Sequence, residues 1–158
     1  MTEATLTLEQ AWGLSGLSIR EQIMRALLTR AQTLVQTASR DPVRVPVEML
    51  PRLVVQDQTE TGREPVYRKH QMVLPVVCEY SDRVIIDDHS LSSAGNYLLA
   101  NLLQAMLSPD ITLGGLCSEL RYETATIDYL EGGDSIIRVT VGMTVHYGFA
   151  FGNPFSIN

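Results

Sequence analysis

Apolar and polar residues alternate most regularly near the end of the chain, in the segment SIIRVTVGMTVHYGF (residues 135–149). Successive side chains of a β-strand point to opposite sides of the sheet, so this period of two is typical of a strand with one buried face. The polar side carries Arg138, Thr140, Gly142, Thr144 and His146, and the apolar side carries Ile137, Val139, Val141, Met143, Val145, Tyr147 and Phe149. The pattern predicts a sheet that is covered on one face only.

Two other segments have the residue spacing of amphipathic helices. In residues 18–38, Ser18 and Glu21 have the spacing of a capping box. The apolar stripe that follows consists of Ile19, Ile23, Leu27, Leu34 and Ala38. Arg20, Arg25 and Arg30 lie off this stripe, and we interpret them as a solvated face. The segment LSSAGNYLLANLLQAML (residues 91–107) predicts the second helix.

Residues 52–57, 66–80 and 119–129 are predicted to form three further strands. Between the first two, residues 58–65 are polar and contain glycine and proline, which indicates a mobile loop or a hairpin tip. Pro75 cannot donate a backbone hydrogen bond and therefore indicates either an edge strand or a bulge. The tetrapeptide Glu131-Gly132-Gly133-Asp134 predicts a tight hairpin between the last two strands.

The predicted element order is α-β-β-α-β-β. It indicates an α+β fold with a single, mostly antiparallel β-sheet and two main helices packed on one face. A chain of 158 residues fits one domain. We assign residues 1–17 to an N-terminal extension, 18–149 to the domain and 150–158 to an aromatic C-terminal tail.

Composition and charge narrow the choice of function. Hydrophobic residues make up 45% of the chain and charged residues 19%, which is typical of a globular protein. No apolar run approaches the ~20 residues of a membrane-spanning helix, and the N-terminus does not resemble a secretory signal, so we expect a cytoplasmic site of synthesis. Residues 70–158 carry three basic and ten acidic residues. Such a segment repels phosphates, which argues against sequence-specific binding of nucleic acid.

Candidate chemistry is concentrated in Asp87, Asp88, His89 and Ser90. Carboxylate and imidazole side by side could hold a metal ion or form an acid–base pair. Aspartate and serine are also favoured N-cap residues, and the second predicted helix begins at this point. We therefore favour helix capping over a catalytic or metal site.

Other motifs of catalysis or cofactor binding are missing from the sequence. Cys78 and Cys117 lie 39 positions apart, without the paired spacing of a zinc site, and are interpreted as reduced core residues. No phosphate-binding loop, dinucleotide-binding fingerprint, nucleophile elbow or HExxH motif occurs. We therefore expect no enzymatic activity, no metal and no cofactor.

One stretch carries a family resemblance. A leucine-rich helix runs into Ser-Pro-Asp and then into LGGL (residues 113–116), a strand that ends in Asp128-Tyr129, a turn and an alternating strand. With the leading helix IREQIMRALLTRA and the strand LPRLVVQD, this arrangement resembles the tail-terminator proteins of long-tailed bacteriophages, also called minor tail or tail-completion proteins. The resemblance covers residues 18–149. Leu113 and Leu116 are predicted to anchor a short turn under the core.

The resemblance implies an α+β subunit without catalytic residues that forms a homohexameric ring, caps the tail tube, ends its polymerisation and provides the surface that joins the head. Implied partners are the tail tube protein, a head-completion or connector protein and a sheath protein, with DNA passing through the lumen without sequence-specific binding and no membrane. The implied location is the head-proximal end of the tail in the virion, after assembly in the host cytoplasm.

Some residues are predicted to contact other proteins, and others are the basis of an alternative function. We predict that contacts with neighbouring subunits or tail partners include Glu60, Gly62, Arg63, Arg68, Phe151 and Phe155. Phe151 is expected to fold back on its own subunit and Phe155 to meet a partner. The alternative function is a small cytoplasmic enzyme or ligand-binding domain that uses Asp87, Asp88 and His89.

Overall fold

A computed structural model describes residues 16–41, 50–83, 91–130 and 136–158 of the chain. Its helices and strands, in chain order, are α1 (Ile19–Leu34), β1 (Arg52–Asp57), β2 (Thr61–Val66), β3 (Lys69–Arg83), α2 (Leu91–Leu107), β4 (Glu119–Leu130) and β5 (Ile136–Ala150). The predicted α+β fold is confirmed. The observed order is α-β-β-β-α-β-β, with one strand more than the sequence indicated.

The additional strand, β2, corrects the interpretation of residues 58–65 as a mobile loop or a hairpin tip, because the strand begins at Thr61 and the tip lies beyond residue 65. Its residues pair with β3 through the backbone, and Arg63 lies opposite Gln71. Tyr67 and Arg68 both have positive φ (50° and 60°) and form the two-residue turn into β3. Such turns match the twist of the strands they join, but they normally contain Gly, Asn or Asp. The sequence therefore carried no ordinary signal for this hairpin.

All strand pairs are antiparallel, in the order β1-β3-β5-β4. β5 pairs with the whole of β3, so β1 and β2 lie end to end along the other side of β3. The break between them lies opposite Pro75, whose carbonyl accepts a hydrogen bond from the Gln58 N–H (2.8 Å). Since Pro75 has no N–H to donate, an interrupted ladder at this point leaves no donor unused. Neither predicted interpretation of Pro75 holds: β3 is a central strand, and its pairing with β5 runs through Pro75 without a bulge. The missing N–H is accommodated by the interruption between β1 and β2.

Both helices cover the same face of the sheet. α1 buries Ile19, Ile23, Met24, Leu27 and Ala31, and α2 buries Gly95, Leu98, Leu102 and Met106. The strands supply alternate side chains to the same core, which include Leu74, Val76 and Cys78 of β3 and Val139, Val141 and Met143 of β5. The alternation predicted for β5 is confirmed, because the opposite side chains stay partly exposed.

α1 begins where the sequence predicted and ends earlier. The Ser18 hydroxyl accepts a hydrogen bond from the Glu21 N–H (3.2 Å), as a capping residue should. The helix stops at Leu34, and the chain then extends so that Ser39 bridges to the outer edge of β1. Ala38 is therefore buried outside the helix, and the prediction that the helix reaches it is wrong.

Gly95 is where α2 approaches β4 most closely. A Cβ atom at this position would lie 2.8 Å from Ile127 Cγ2 and 3.0 Å from the Tyr129 hydroxyl oxygen. We expect Gly95→Ala to lower the free energy of unfolding by roughly 1–3 kcal/mol, because overpacking outweighs the better helix propensity of alanine. Urea unfolding measures this. Asn96→Ala, at an exposed position of the same helix, is the control and should be neutral or stabilising; equal stability of the two variants contradicts the packing argument.

Candidate partner-binding surface

Apolar side chains are exposed together at the end of the sheet where β2 turns into β3. Val66 is 48% exposed and Tyr67 is 94% exposed, while Phe151 and Phe155, which follow β5, are 50% and 41% exposed. The Phe151 N–H donates to the Arg68 carbonyl (3.1 Å), which joins the hairpin turn to the C-terminal tail. We call the exposed side chains of Val66, Tyr67, Arg68, Phe151 and Phe155 the hairpin-end surface.

The C-terminal tail is fixed to its own subunit through the backbone. The Ala150 N–H donates to the Ser156 carbonyl (2.9 Å), and the Ile19 N–H, at the start of α1, donates to the Pro154 carbonyl (2.9 Å). Ile157 packs against the core. The tail thus supplies a partner for one of the free N–H groups of the first helical turn. Its backbone folds back while Phe151 and Phe155 remain about half exposed.

Aromatic rings lead from the core to this surface. The His70 ring lies between those of Phe149 and Phe151, with centroid distances of 5.0 and 4.7 Å. The Phe149 ring in turn lies 6.3 Å from that of Tyr147, which is buried. His70 therefore has a packing role that supports the position of Phe151.

Polar side chains behind the hairpin-end surface connect α1 to the break between β1 and β2. Arg20 donates to Asp57 Oδ2 from Nη2 (2.8 Å) and Nε (3.3 Å), and its other terminal nitrogen lies 3.8 Å from Glu60 Oε2. The Tyr147 hydroxyl donates to Glu60 Oε1. Arg40 also contacts Asp57, at 3.6 Å. We call Arg20, Asp57, Glu60 and Tyr147 the polar joint.

Burial and charge in the polar joint shift its pKa values. Burial alone would raise the pKa of Asp57, but the hydrogen bond from Arg20 and the charges of Arg20 and Arg40 hold it below its ordinary value. Burial, together with the hydrogen bond and charge of Glu60, raises the pKa of Tyr147. At neutral pH Asp57 is therefore ionised and Tyr147 keeps its proton, which is the state that these contacts require.

Arg30 ties α1 to the LGGL segment. Its guanidinium donates to the carbonyls of Met106 (3.0 Å) and Asp110 (2.6 Å), and to Asp110 Oδ1 (3.1 Å). Asp110 Oδ1 also accepts from the Gly114 N–H (3.3 Å). The Arg30 side chain is only 12% exposed, so the interpretation of this arginine as part of a solvated face is wrong. The reason is that the last carbonyls of α2 lack helical partners, and Arg30 supplies donors to them.

The LGGL segment forms the tight turn that the sequence predicted. Leu113, Gly114 and Gly115 have φ of 51°, 69° and 93°, in the left-handed region that glycine enters without strain. Leu113 is buried, and Leu116 packs against the core. The prediction that these two leucines anchor the turn is confirmed.

Residues suited to chemistry are dispersed in the described part of the chain. No three His, Cys, Asp or Glu side chains within the described ranges are placed to hold a metal ion. Burial raises the pKa of the Cys78 thiol to about 12 and that of Cys117 to about 11, so both thiols are protonated at neutral pH. The segment Asp87-Asp88-His89-Ser90 lies outside the described residues, as does the predicted Gly132-Gly133 hairpin. Helix capping by the former remains a prediction.

The residues predicted as an interface occupy different positions. Arg68 and the two phenylalanines belong to the hairpin-end surface, and Arg63 lies on β2. Gly62, also on β2, lies opposite Met72 of β3. Glu60 is turned inward, into the polar joint, with its side chain 18% exposed. Tyr67 was missed, because its exposure follows from the left-handed turn that two ordinary residues form.

The chain shows little similarity to known proteins. No protein-family model matches the chain, and no curated protein matches it. A chain from a structure described as the virion of a native gene transfer agent particle is similar at 14% identity and a TM-score of 0.40, over 90% of this chain and 99% of that chain. A TM-score of this size does not establish a common fold. Of the helices among the described residues, none has the length and apolarity to span a membrane.

The lowered pKa of Asp57 predicts a dependence of stability on pH. As pH falls, the unfolded chain takes up the proton first, so the contribution of Asp57 is present above its ordinary pKa of about 4 and is lost as pH falls through the lower folded value. We expect Asp57→Asn to reduce the loss of stability in this acidic range, as measured by urea unfolding at several pH values. Glu64→Gln, at an exposed carboxylate without an ion pair in the described part of the chain, is the control. Parallel curves for wild type and Asp57→Asn contradict the assignment.

Proposed function

We propose that this chain is a structural protein of a bacteriophage tail, which forms a ring that caps the tail tube, ends its polymerisation and provides the head-joining surface. Its partners are further copies of itself, as a homohexamer, the tail tube protein and a head-completion or connector protein, with a sheath protein in contractile tails. It acts at the head-proximal end of the tail in the virion after assembly in the host cytoplasm.

The resemblance is supported by the way its segments fold. The leading segment IREQIMRALLTRA lies in α1, LPRLVVQD contains β1, and LGGL is the turn between α2 and β4. The antiparallel sheet with two helices on one face is the α+β subunit that the resemblance implies. The local structure of residues 18–149 is therefore compatible with a tail terminator along the described stretches.

The hairpin-end surface is the observation that carries the proposal. An aromatic side chain left in water forgoes about 2 kcal/mol of burial, and Tyr67, Phe151 and Phe155 all remain exposed in the single subunit. The backbone around them is hydrogen-bonded, so the positions from which the rings project are fixed. Exposed aromatic residues on a fixed backbone are typical of the centres of protein interfaces. Their position at one end of the sheet fits a subunit that meets a partner there.

The charge distribution is compatible with DNA passing through a ring. The three basic and ten acidic residues of positions 70–158 make this part of the chain repulsive to phosphate. A lumen of that charge would let DNA slide without binding. The alternative, an enzyme or ligand-binding domain that uses Asp87, Asp88 and His89, has no specific observation in its favour in the described structure.

The proposal predicts that the protein stops tube growth in vitro. Purified chain added to polymerising tail tube protein should bind tube ends and shorten the tubes, as measured by electron microscopy. The double variant Tyr67→Ser/Phe155→Ser should keep its free energy of unfolding within about 1 kcal/mol of the wild-type value but should no longer cap tubes. The reason is that the exposed rings contribute more to binding than to folding.

Tyr97→Ser is the matched control, since Tyr97 is 68% exposed on α2, away from the hairpin-end surface. It should cap tubes like the wild type. Tubes that grow to the same length with and without the wild-type chain contradict the proposed function. Normal capping by the Tyr67→Ser/Phe155→Ser variant contradicts only the role of the hairpin-end surface and leaves the proposed function intact.

A further inference from the structure

β2 is exposed on every side that β3 does not cover. All six of its residues are exposed, and among the described residues it pairs only with β3. By contrast, the outer edge of β1 is covered by the chain around Ser39, whose N–H donates to the Leu53 carbonyl (3.0 Å) and whose carbonyl accepts from the Val55 N–H (2.9 Å). An uncovered edge strand exposes backbone groups that proteins normally protect. β2 is therefore the open part of this edge.

β4 forms the opposite edge of the same sheet. Within the part of the chain that the structure describes, it pairs only with β5, and Leu120 at its start also donates to the Ile111 carbonyl (2.7 Å). Tyr122 and Tyr129 are 45% and 42% exposed along it. The two uncovered strands thus lie on opposite sides of one subunit, separated by β3 and β5.

The two edges carry opposite charge. The hairpin of residues 61–69 has three basic residues, Arg63, Arg68 and Lys69, and one acidic residue. β4 has three acidic residues, Glu119, Glu123 and Asp128, and one basic residue. Arg121 of β4 is already paired with Glu119 (2.8 Å).

The strongest candidates for an intermolecular contact are charged side chains that have no ion pair with any residue that the structure describes. Arg63 and Arg68 on the hairpin, and Glu123 and Asp128 on β4, form none with any described residue; Glu123 accepts one hydrogen bond, from the Thr144 hydroxyl (2.9 Å). Five residues of a strand span about 16 Å, which separates Glu123 from Asp128. The rise from Arg63 to the hairpin turn is roughly 10–13 Å, a difference that long arginine side chains accommodate. The two arginines can therefore reach both carboxylates across the contact, although the two spacings differ by a few ångströms.

We propose that the β2–β3 hairpin of one copy docks along β4 of the next copy, with Arg63 and Arg68 facing Glu123 and Asp128. Two different surfaces on opposite sides of one subunit make a heterologous contact, and repetition of such a contact closes a ring when the rotation between copies permits it. The inference rests on the proposed function, since the ring is the assembly that the contact would build.

Side chains carry more of this contact than backbone pairing does. Pro65 has no N–H to offer, and the register of β2 shifts between Arg63 and Val66. β4 has its own irregularity between Tyr122 and Thr124. The two edges therefore cannot form a long, continuous ladder of backbone hydrogen bonds. Complementary charge determines which edges meet.

A charge exchange between two variants tests the contact. Arg63→Glu/Arg68→Glu makes the hairpin acidic, and Glu123→Arg/Asp128→Arg makes β4 basic. Each variant alone brings like charges together and should self-associate about a hundredfold more weakly than the wild type. An equimolar mixture restores both contacts, because each acidic hairpin meets a basic β4 and each basic hairpin meets an acidic β4. The mixture should form an alternating ring, detected by sedimentation velocity and native mass spectrometry at low salt.

A control variant separates the contact from net charge. It has the same charge as the hairpin variant but carries four new glutamates at exposed neutral positions elsewhere: Gln32, Gln36, Ser92 and Gln104. It should associate like the wild type. Glutamine versions of both charge variants, which are gentler to the fold, should weaken association less. Mixing them should restore only one of the two contacts, because the unchanged basic hairpin of one variant still meets the unchanged acidic β4 of the other, and should give heterodimers without an alternating ring.

Three results overturn the inference: a wild-type chain that stays monomeric up to its solubility limit, reversed variants that associate normally on their own, or a mixture that shows no recovery although both variants are folded by circular dichroism. Tube capping by a chain whose reversed variants still associate leaves the proposed function intact and removes only this contact. If the mixed variants recover the ring but the wild-type chain does not cap tubes, the contact stands and the proposed function is removed.

Discussion

β3 and β5 each direct one side chain of every two into the core, and every other element is placed by the need to cover that face. Val139, Val141 and Met143 are buried along β5, and Leu74, Val76 and Cys78 along β3. Two helices suffice to cover this surface, because the alternate residues of the strands are mostly polar and lie on the opposite face of the sheet, where they stay partly exposed. The sheet can therefore keep one open face and two open edges without exposing its core.

Within that arrangement, polar contacts decide where the elements end. Arg30 joins α1 to the last turn of α2 and to the LGGL turn, and the polar joint holds α1 against the break between β1 and β2. Pro75 places that break, because its missing N–H would leave a gap in a continuous ladder. The hydrogen bond from the Phe151 N–H to the Arg68 carbonyl keeps the hairpin and the C-terminal tail together, so the backbone that carries the exposed aromatic residues is held in place for a partner.

The proposed function and the inferred contact rely on different kinds of side chain, although both involve the β2–β3 hairpin and Arg68 belongs to both surfaces. The hairpin-end surface offers exposed rings at one end of the sheet, suited to burial against a tube or a head protein. The lateral edges offer charges of opposite sign, suited to a neighbouring copy. A ring subunit needs both kinds of contact, because it must close laterally and bind axially. Segregating apolar contacts from charged ones reduces competition between the two modes.

The sequence alone determined the two helices, four of the five strands, the single covered face and the turn at LGGL, because each depends on a local period or on glycine. α2 agrees with its predicted range, and β5 with its predicted alternation. Only the tertiary structure decided the positions and contacts of residues whose partners are distant in the sequence. β2 exists because β3 supplies its hydrogen bonds, Arg30 is withdrawn from solvent because the carbonyls of α2 end beside it, and Glu60 turns inward to Tyr147. Tyr67 becomes the most exposed aromatic residue of the described ranges for the same reason: pairing between β2 and β3 forces a left-handed turn that the residues of the turn do not favour.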